Sequence, residues 1–62
     1  MNIKIGKKYT ISGMTIEIVS DEGERWETLN LTTKETTFMD KSLLENAIKL
    51  GKAEELNMNY ST

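Results

Sequence analysis

The chain has 62 residues and a formal net charge of −2, and it contains no histidine, cysteine or proline. A chain this short buries only about 60% of the surface that its unfolded form exposes, which limits it to one domain with a single small core. The missing cysteine and histidine exclude disulfide bonds, the common zinc ligand sets and nucleophilic catalysis by a Ser-His or Cys-His pair.

Apolar residues fall at alternate positions in two runs near the N-terminus, on either side of the polar segment Gly6-Lys7-Lys8. The apolar positions are Ile3, Ile5, Tyr9 and Ile11. A period of two indicates β structure, so we expect residues 2–12 to form one long bent strand or two short ones. The dipeptide Ser12-Gly13 predicts a tight turn after them.

The N-terminal segment has no continuous apolar stretch of the kind found in a signal peptide or a membrane span. We therefore expect a soluble, cytoplasmic protein with no membrane partner.

The clearest strand of the sequence follows, because Met14, Ile16 and Ile18 repeat at a period of two with polar residues between them. A polar cluster at residues 20–24 then predicts a hairpin turn, in which Gly23 can adopt a positive φ. Residues 26–31 form the returning strand.

Trp26 and Leu29 have opposite parity in this returning strand. Either a bulge lies between them or Trp26 packs on a different face from Leu29 and Leu31. We favour a core position for Trp26, since a domain with four aromatic residues can rarely leave its one tryptophan outside. On the surface it would be a binding anchor.

A turn at residues 32–34 and a segment rich in β-branched and aromatic residues at 35–39 complete a meander of three or four antiparallel strands. At Asp40 the apolar period changes from two to three or four, which predicts a helix. Its N-cap is either Asp40 or Ser42, which has Glu45 three residues later.

The predicted helix runs to about Leu50, and Gly51 is well placed to end it in the left-handed conformation. Its apolar stripe comprises Leu43, Leu44, Ala47, Ile48 and Leu50. Residues 52–56 form either a last helical turn or a short strand at the sheet edge, and the spacing of Ala53 and Leu56 favours the helix.

The sequence therefore predicts an α+β fold in which a small antiparallel meander is packed by one C-terminal helix. The sheet is either open or curled toward an SH3-like or partly open barrel. One domain spans residues 1–56, and residues 57–62 form a flexible tail.

Catalysis would have to use carboxylates such as Glu17, Glu24 and Glu27, but so small a chain has little interior in which to shield a substrate. The acidic loop at residues 21–24 lacks the ligand pattern of a calcium site. We expect no enzyme activity, no small-molecule substrate, and neither a cofactor nor a metal.

Charge is unevenly distributed, because the early lysines precede an acidic stretch at residues 17–27. This asymmetry either orients a partner or pairs the two segments within the sheet. As an alternative function, nucleic acid would be bound by basic residues around an aromatic patch of Tyr9, Trp26 and Phe38. The basic residues of this alternative are Lys4, Lys7, Lys8, Arg25 and Lys34.

Our leading interpretation is a small binding module that acts by occupying a protein partner or by forming a homodimer through an unpaired strand. Short chains of this kind that open with their own Met1 are typical of accessory proteins of phages and mobile elements. The candidate partner-binding residues are Lys7, Lys8, Arg25, Trp26 and Phe38.

Overall fold

The computed structural model describes residues 3–56, so the predicted tail at 57–62 lies outside the described residues. The described part of the chain contains five strands and one helix. Their bounds are β1 Lys8–Ile11, β2 Met14–Asp21, β3 Arg25–Asn30, β4 Thr36–Asp40, α1 Lys41–Lys49 and β5 Ala53–Glu55.

The strands form one antiparallel sheet in the order β4-β3-β2-β1-β5. Strands β4 and β5 are its two edges and do not pair with each other, so the sheet is open and not a closed barrel. The predicted class, an α+β meander packed by one helix, is confirmed. The predicted three or four strands become five because β5 returns beside β1.

Only residues 8–11 of the predicted segment form a strand, which agrees with the second of two short strands and not with one long bent strand. The Gly6 N–H donates to the Ile18 carbonyl (2.8 Å), and the Ile18 N–H donates to the Lys7 carbonyl (2.9 Å). Gly6 itself has a φ of 96°, which turns the chain out of the sheet before it. The predicted strand at residues 3–5 is therefore wrong, although Ile3 packs against the core.

Of the two predicted N-cap residues, Asp40 is the one that precedes the helix. Asp40 is the N-cap residue, although its side chain makes no capping hydrogen bond, and Ser42 lies inside the helix, so its predicted box with Glu45 does not form. Strand β4 runs directly into the helix at this residue.

The predicted helical turn at 52–56 is wrong, because Gly51 reverses the chain into β5. Gly51 has a φ of 76°. Its N–H donates to the Ile48 carbonyl (3.1 Å), and the Lys52 N–H donates to the Ala47 carbonyl (2.8 Å), which together form a Schellman ending. Ala53 then lies buried opposite Ile11 of β1.

Helix α1 covers one face of the sheet and closes the core between them. The buried apolar residues are Tyr9, Ile16, Ile18, Trp26, Leu44, Ala47 and Ala53. Leu43 and Leu50 are 56% and 69% exposed, so the apolar stripe of the helix is narrower than predicted. Thr28 is also buried, and its hydroxyl donates to the Thr37 carbonyl (3.3 Å).

The opposite parity of Trp26 and Leu29 reflects two faces of a regular strand β3. Trp26 and Thr28 are buried on the helix side, whereas Leu29 points to the other face. The irregularity lies in the neighbouring strand, where the register shifts between Ile18 and Ser20. Val19 is therefore the extra residue of a bulge in β2.

Candidate interaction surface

The sheet face opposite helix α1, hereafter the open face, carries polar side chains together with Leu29 and Phe38. Its residues alternate along each strand with those of the core. Cross-strand partners in the register place Lys8 opposite Glu17, Glu27 opposite Phe38, and Arg25 opposite Asp40. Lys8 and Glu17 are neighbours across the strands, but the ion pairs among residues 3–56 join Lys7 to Glu55 and Lys41 to Asp21, so the early lysines form no ion pair with the acidic stretch there.

Arg25 and Phe38 form the most defined feature of the open face. The guanidinium carbon of Arg25 lies 4.1 Å from the centre of the Phe38 ring. Both side chains are exposed, and the ring retains 48% of its accessible surface. A cation over an aromatic face is worth about 0.5–1 kcal/mol at an exposed site, so the two side chains order each other. We call this pair the Arg-Phe patch.

The hairpin between β2 and β3 fixes where Arg25 enters the sheet. The Glu22 N–H donates to the Arg25 carbonyl (2.9 Å), a ladder bond that extends the pairing one step beyond Asp21 and Trp26 and leaves a two-residue loop. Inside it, Gly23 has a φ of 86°, as its position predicts, and its N–H donates to Asp21 Oδ1 (3.0 Å). The turn therefore starts β3 with Arg25 directly opposite the end of β4.

Strand β4 forms one edge of the sheet, where no strand within residues 3–56 lies beside it. The Asn30 N–H donates to the Glu35 carbonyl (2.8 Å), and the Lys41 N–H donates to the Glu24 carbonyl (3.0 Å). Since hydrogen-bonded pairs alternate along an antiparallel ladder, the backbone N–H and C=O groups of Thr36 and Phe38 point away from β3. The exposed ring of Phe38 thus lies on the same edge as these outward groups.

The other two proposed contact residues, Lys7 and Lys8, are half-buried and lie at β1. Lys7 Nζ is 2.8 Å from Glu55 Oε2 of β5. This hydrogen bond raises the pKa of Lys7 above its usual value. The Lys7 charge is therefore already matched within the sheet.

Trp26 lies in the core, as favoured from the sequence, with 8% of its surface exposed. Lys41 Nζ sits 4.2 Å from the centre of its ring and 2.7 Å from Asp21 Oδ1. The indole Nε1 is buried and has no hydrogen-bond partner in the described part of the chain. In this arrangement the ring is a packing residue and not a surface contact.

The residues of the nucleic-acid alternative are not gathered on one patch. Arg25 begins β3 and Lys34 follows its end, so they are separated by about 17 Å or more along the strand direction. Tyr9 and Trp26 are buried, which leaves Phe38 as the exposed ring of the predicted aromatic set.

The three glutamates of the carboxylate hypothesis are also dispersed. Glu17 and Glu27 are half-buried on the open face, and Glu24 is exposed in the hairpin turn. Residues 3–56 enclose no cavity, and the same residues contain no cluster of three acidic side chains placed to hold a metal. Within that range, no helix has the length and apolar character needed to cross a membrane.

The Arg-Phe patch could be anticipated only in part from the sequence, which suggested both residues but not their contact. Their stacking depends on the register of β3 and β4, for which the sequence offers only a loose turn at 32–34. Comparison of the chain with protein-family models, curated proteins and solved structures found no match.

Proposed function

We propose that the protein is a small cytoplasmic binding module without catalytic chemistry, and that it engages a protein partner through the open face around the Arg-Phe patch. Its size is typical of the accessory proteins that phages and mobile elements encode. The observation that carries the proposal is the exposed Phe38 ring with Arg25 stacked on it at 4.1 Å.

This pair combines features that protein interfaces favour. Aromatic residues and arginine are enriched at the energetic centres of interfaces, where truncating one such residue typically costs at least about 2 kcal/mol of binding free energy. Because Arg25 is already held against the ring, less side-chain entropy is lost when a partner covers both. Asp40 and Glu27, opposite Arg25 and Phe38 in the register, supply a polar rim.

Affinity capture with matched variants tests the proposal. The tagged wild-type chain is compared with Phe38→Ala and with Leu43→Ala, which removes a similarly exposed apolar side chain from the helix. We expect a stoichiometric partner with the wild type and Leu43→Ala, and its loss with Phe38→Ala. Equal recovery with both variants would remove the Arg-Phe patch from the interface, and recovery of no partner would contradict the function itself.

Nucleic-acid binding remains the alternative prediction, and no arrangement of the basic residues favours it. It requires affinity that falls steeply as salt is raised, because bound phosphates release counterions. Fluorescence anisotropy with single- and double-stranded DNA and RNA at low ionic strength decides the matter. Tight, salt-sensitive binding would replace the protein-binding proposal.

A further inference from the structure

We propose that the β4 edge pairs with the β4 edge of a second copy of this chain, which joins two open sheets into one continuous sheet about a two-fold axis at Thr37. This inference deepens the proposed function, on which it rests, by giving the binding module a dimeric form. It is carried by the unpaired backbone groups of the edge and by the symmetry of the residues along it.

The backbone supplies the contact. Thr36 and Phe38 each direct one N–H and one C=O away from β3. When the second strand runs antiparallel with Thr37 opposite its own copy, Thr36 of each chain faces Phe38 of the other. All four outward groups of each chain then have partners, and four hydrogen bonds form across the axis.

The side chains are self-complementary in the same register. Asp40 ends β4 and Lys34 lies in the turn two residues before it, and the register, extended to that turn, sets each near the opposite charge in the second copy. Glu35, which lies between Lys34 and β4, faces Met39 of that copy. The two Phe38 rings become diagonal neighbours on the open face, at about 7–8 Å between backbones, which is within reach of aromatic side chains. The two Arg-Phe patches therefore merge into one larger surface.

Strand β4 also lacks the features that protect an edge from pairing. The strand contains no proline, its charged residue Asp40 lies at the last position, and its register with β3 is regular. The opposite edge, β5, has only three residues, and two of them are Glu54 and Glu55. Pairing of two β5 strands about Glu54 would place like charges opposite each other. A second copy is therefore expected to pair with β4 and not with β5.

Sedimentation velocity over a range of concentrations tests the dimer with charge variants at the axis. Thr37 is exposed and contributes its backbone carbonyl, not its side chain, to the contact with Thr28. Thr37→Lys and Thr37→Glu each place like charges opposite each other, and we expect each to raise the dimer dissociation constant by about fivefold. An equimolar mixture of the two variants should associate again, because unlike charges then face each other.

The matched controls are Thr32→Lys and Thr32→Glu, in the exposed turn before β4. They carry the same chemical changes outside the paired strand, and we expect wild-type association from both. Circular dichroism of each variant verifies that the sheet is retained. A wild type that stays monomeric at every concentration, or charge variants that associate as it does, would overturn the proposal.

A cysteine at the axis tests the register. The chain has no native cysteine, so Thr37→Cys carries a single thiol. Residues that face each other without exchanging hydrogen bonds have Cα atoms about 4.5 Å apart, which a disulfide can span. In a glutathione buffer we expect Thr37→Cys to form far more disulfide dimer than Thr32→Cys, and equal yields would contradict the pairing. Partner capture by Thr37→Lys, at a concentration where sedimentation shows it to be monomeric, separates the two proposals, since that variant keeps the Arg-Phe patch.

Discussion

Trp26 has the largest buried ring of the core, and its indole N–H is a buried donor. Its side chain packs in the cluster between sheet and helix, yet its buried Nε1 finds no hydrogen-bond partner within residues 3–56. A buried donor left unsatisfied costs about 1–3 kcal/mol. The stabilisation from burying this ring is therefore smaller than its area suggests.

We expect Trp26→Ala to lower the free energy of unfolding by about 3–5 kcal/mol, because it leaves a large cavity in a small core. Trp26→Phe should cost only about 1 kcal/mol, because the lost contacts are offset by removal of the unsatisfied Nε1. Urea unfolding of the three proteins measures the difference. Equal destabilisation by both substitutions would mean that the Nε1 imposes no penalty.

Trp26 also shows which features of the sheet the alternation of apolar residues predicts and which it does not. The one tryptophan of the chain was favoured for the core, and its separation from Leu29 by face follows from a period of two. The bulge at Val19 left no such signal, because β2 reads as a regular alternation through Ile18. The contact of Arg25 with Phe38 depends on the register between β3 and β4 and could not be read from either strand alone.

Among the elements, the helix was predictable because its two ends are set by local chemistry. The change of period at Asp40 marks its start, and Gly51 ends it where a left-handed residue is needed. Strand β5 was not predictable, because its three residues are ordered by pairing with β1, which lies far away in the sequence. A segment of that length carries no reliable period.

Gly51 therefore determines both the end of α1 and the direction of β5. A left-handed residue other than glycine costs about 1–2 kcal/mol, and a Cβ here would meet no atom within 4 Å, so the backbone conformation alone sets the penalty. We expect Gly51→Ala to lower the free energy of unfolding by about 1 kcal/mol, partly offset by the lower entropy of the unfolded chain. Gly51→Asn should cost less, because asparagine tolerates this conformation better.

Urea unfolding of both Gly51 variants beside Asn46→Ala, at an exposed position inside the same helix, gives the comparison. Alanine is the best helix former, so Asn46→Ala should leave stability unchanged or raise it. A Gly51→Ala protein as stable as the wild type would show that the left-handed conformation is not needed at this position.

For the molecule as a whole, two ion pairs near opposite edges of the sheet respond to opposite ends of the pH range. Lys41 binds Asp21 at the β2–β3 hairpin, and Lys7 binds Glu55 between β1 and β5. The first involves a carboxylate with a lowered pKa and the second an ammonium with a raised pKa. The fold is therefore expected to be most stable between the two ranges.

At low pH the ion pair between Lys41 and Asp21 is lost. The hydrogen bond from Lys41 and the one from the Gly23 N–H hold the pKa of Asp21 below its usual value of 3.8. Its contribution is therefore present above that value and is lost as the pH falls through the lowered pKa. We expect the melting temperature of Asp21→Asn to fall less on acidification than that of the wild type.

Glu24→Gln, which alters an exposed carboxylate of the same hairpin, is the control for this acid response. Thermal unfolding followed by circular dichroism, at neutral pH and at a pH well below 3.8, gives the comparison. An identical acid response of Asp21→Asn and the wild type would contradict the assigned role of the Lys41 and Asp21 pair.

At high pH, Tyr9 joins Lys7 in limiting stability. Burial in the core, reinforced by the negative charge of Glu55, raises the pKa of the Tyr9 hydroxyl above its usual value of 10.0. A raised pKa means that the contribution to stability is complete below 10.0 and is lost as the pH rises through the folded-state value. We expect Tyr9→Phe, which cannot ionise, to lose less stability than the wild type over this alkaline range.

Absorbance titration separates the ionisation of Tyr9 from global unfolding. The chain has two tyrosines, so in a Tyr60→Phe variant the tyrosinate absorbance reports Tyr9 alone. Its midpoint should lie above 10.0 and should fall when Glu55→Gln is added, because that charge disfavours the phenolate. A midpoint at or below 10.0, or one that Glu55→Gln does not lower, would contradict the assigned causes and show that β5 does not couple its charge to the core.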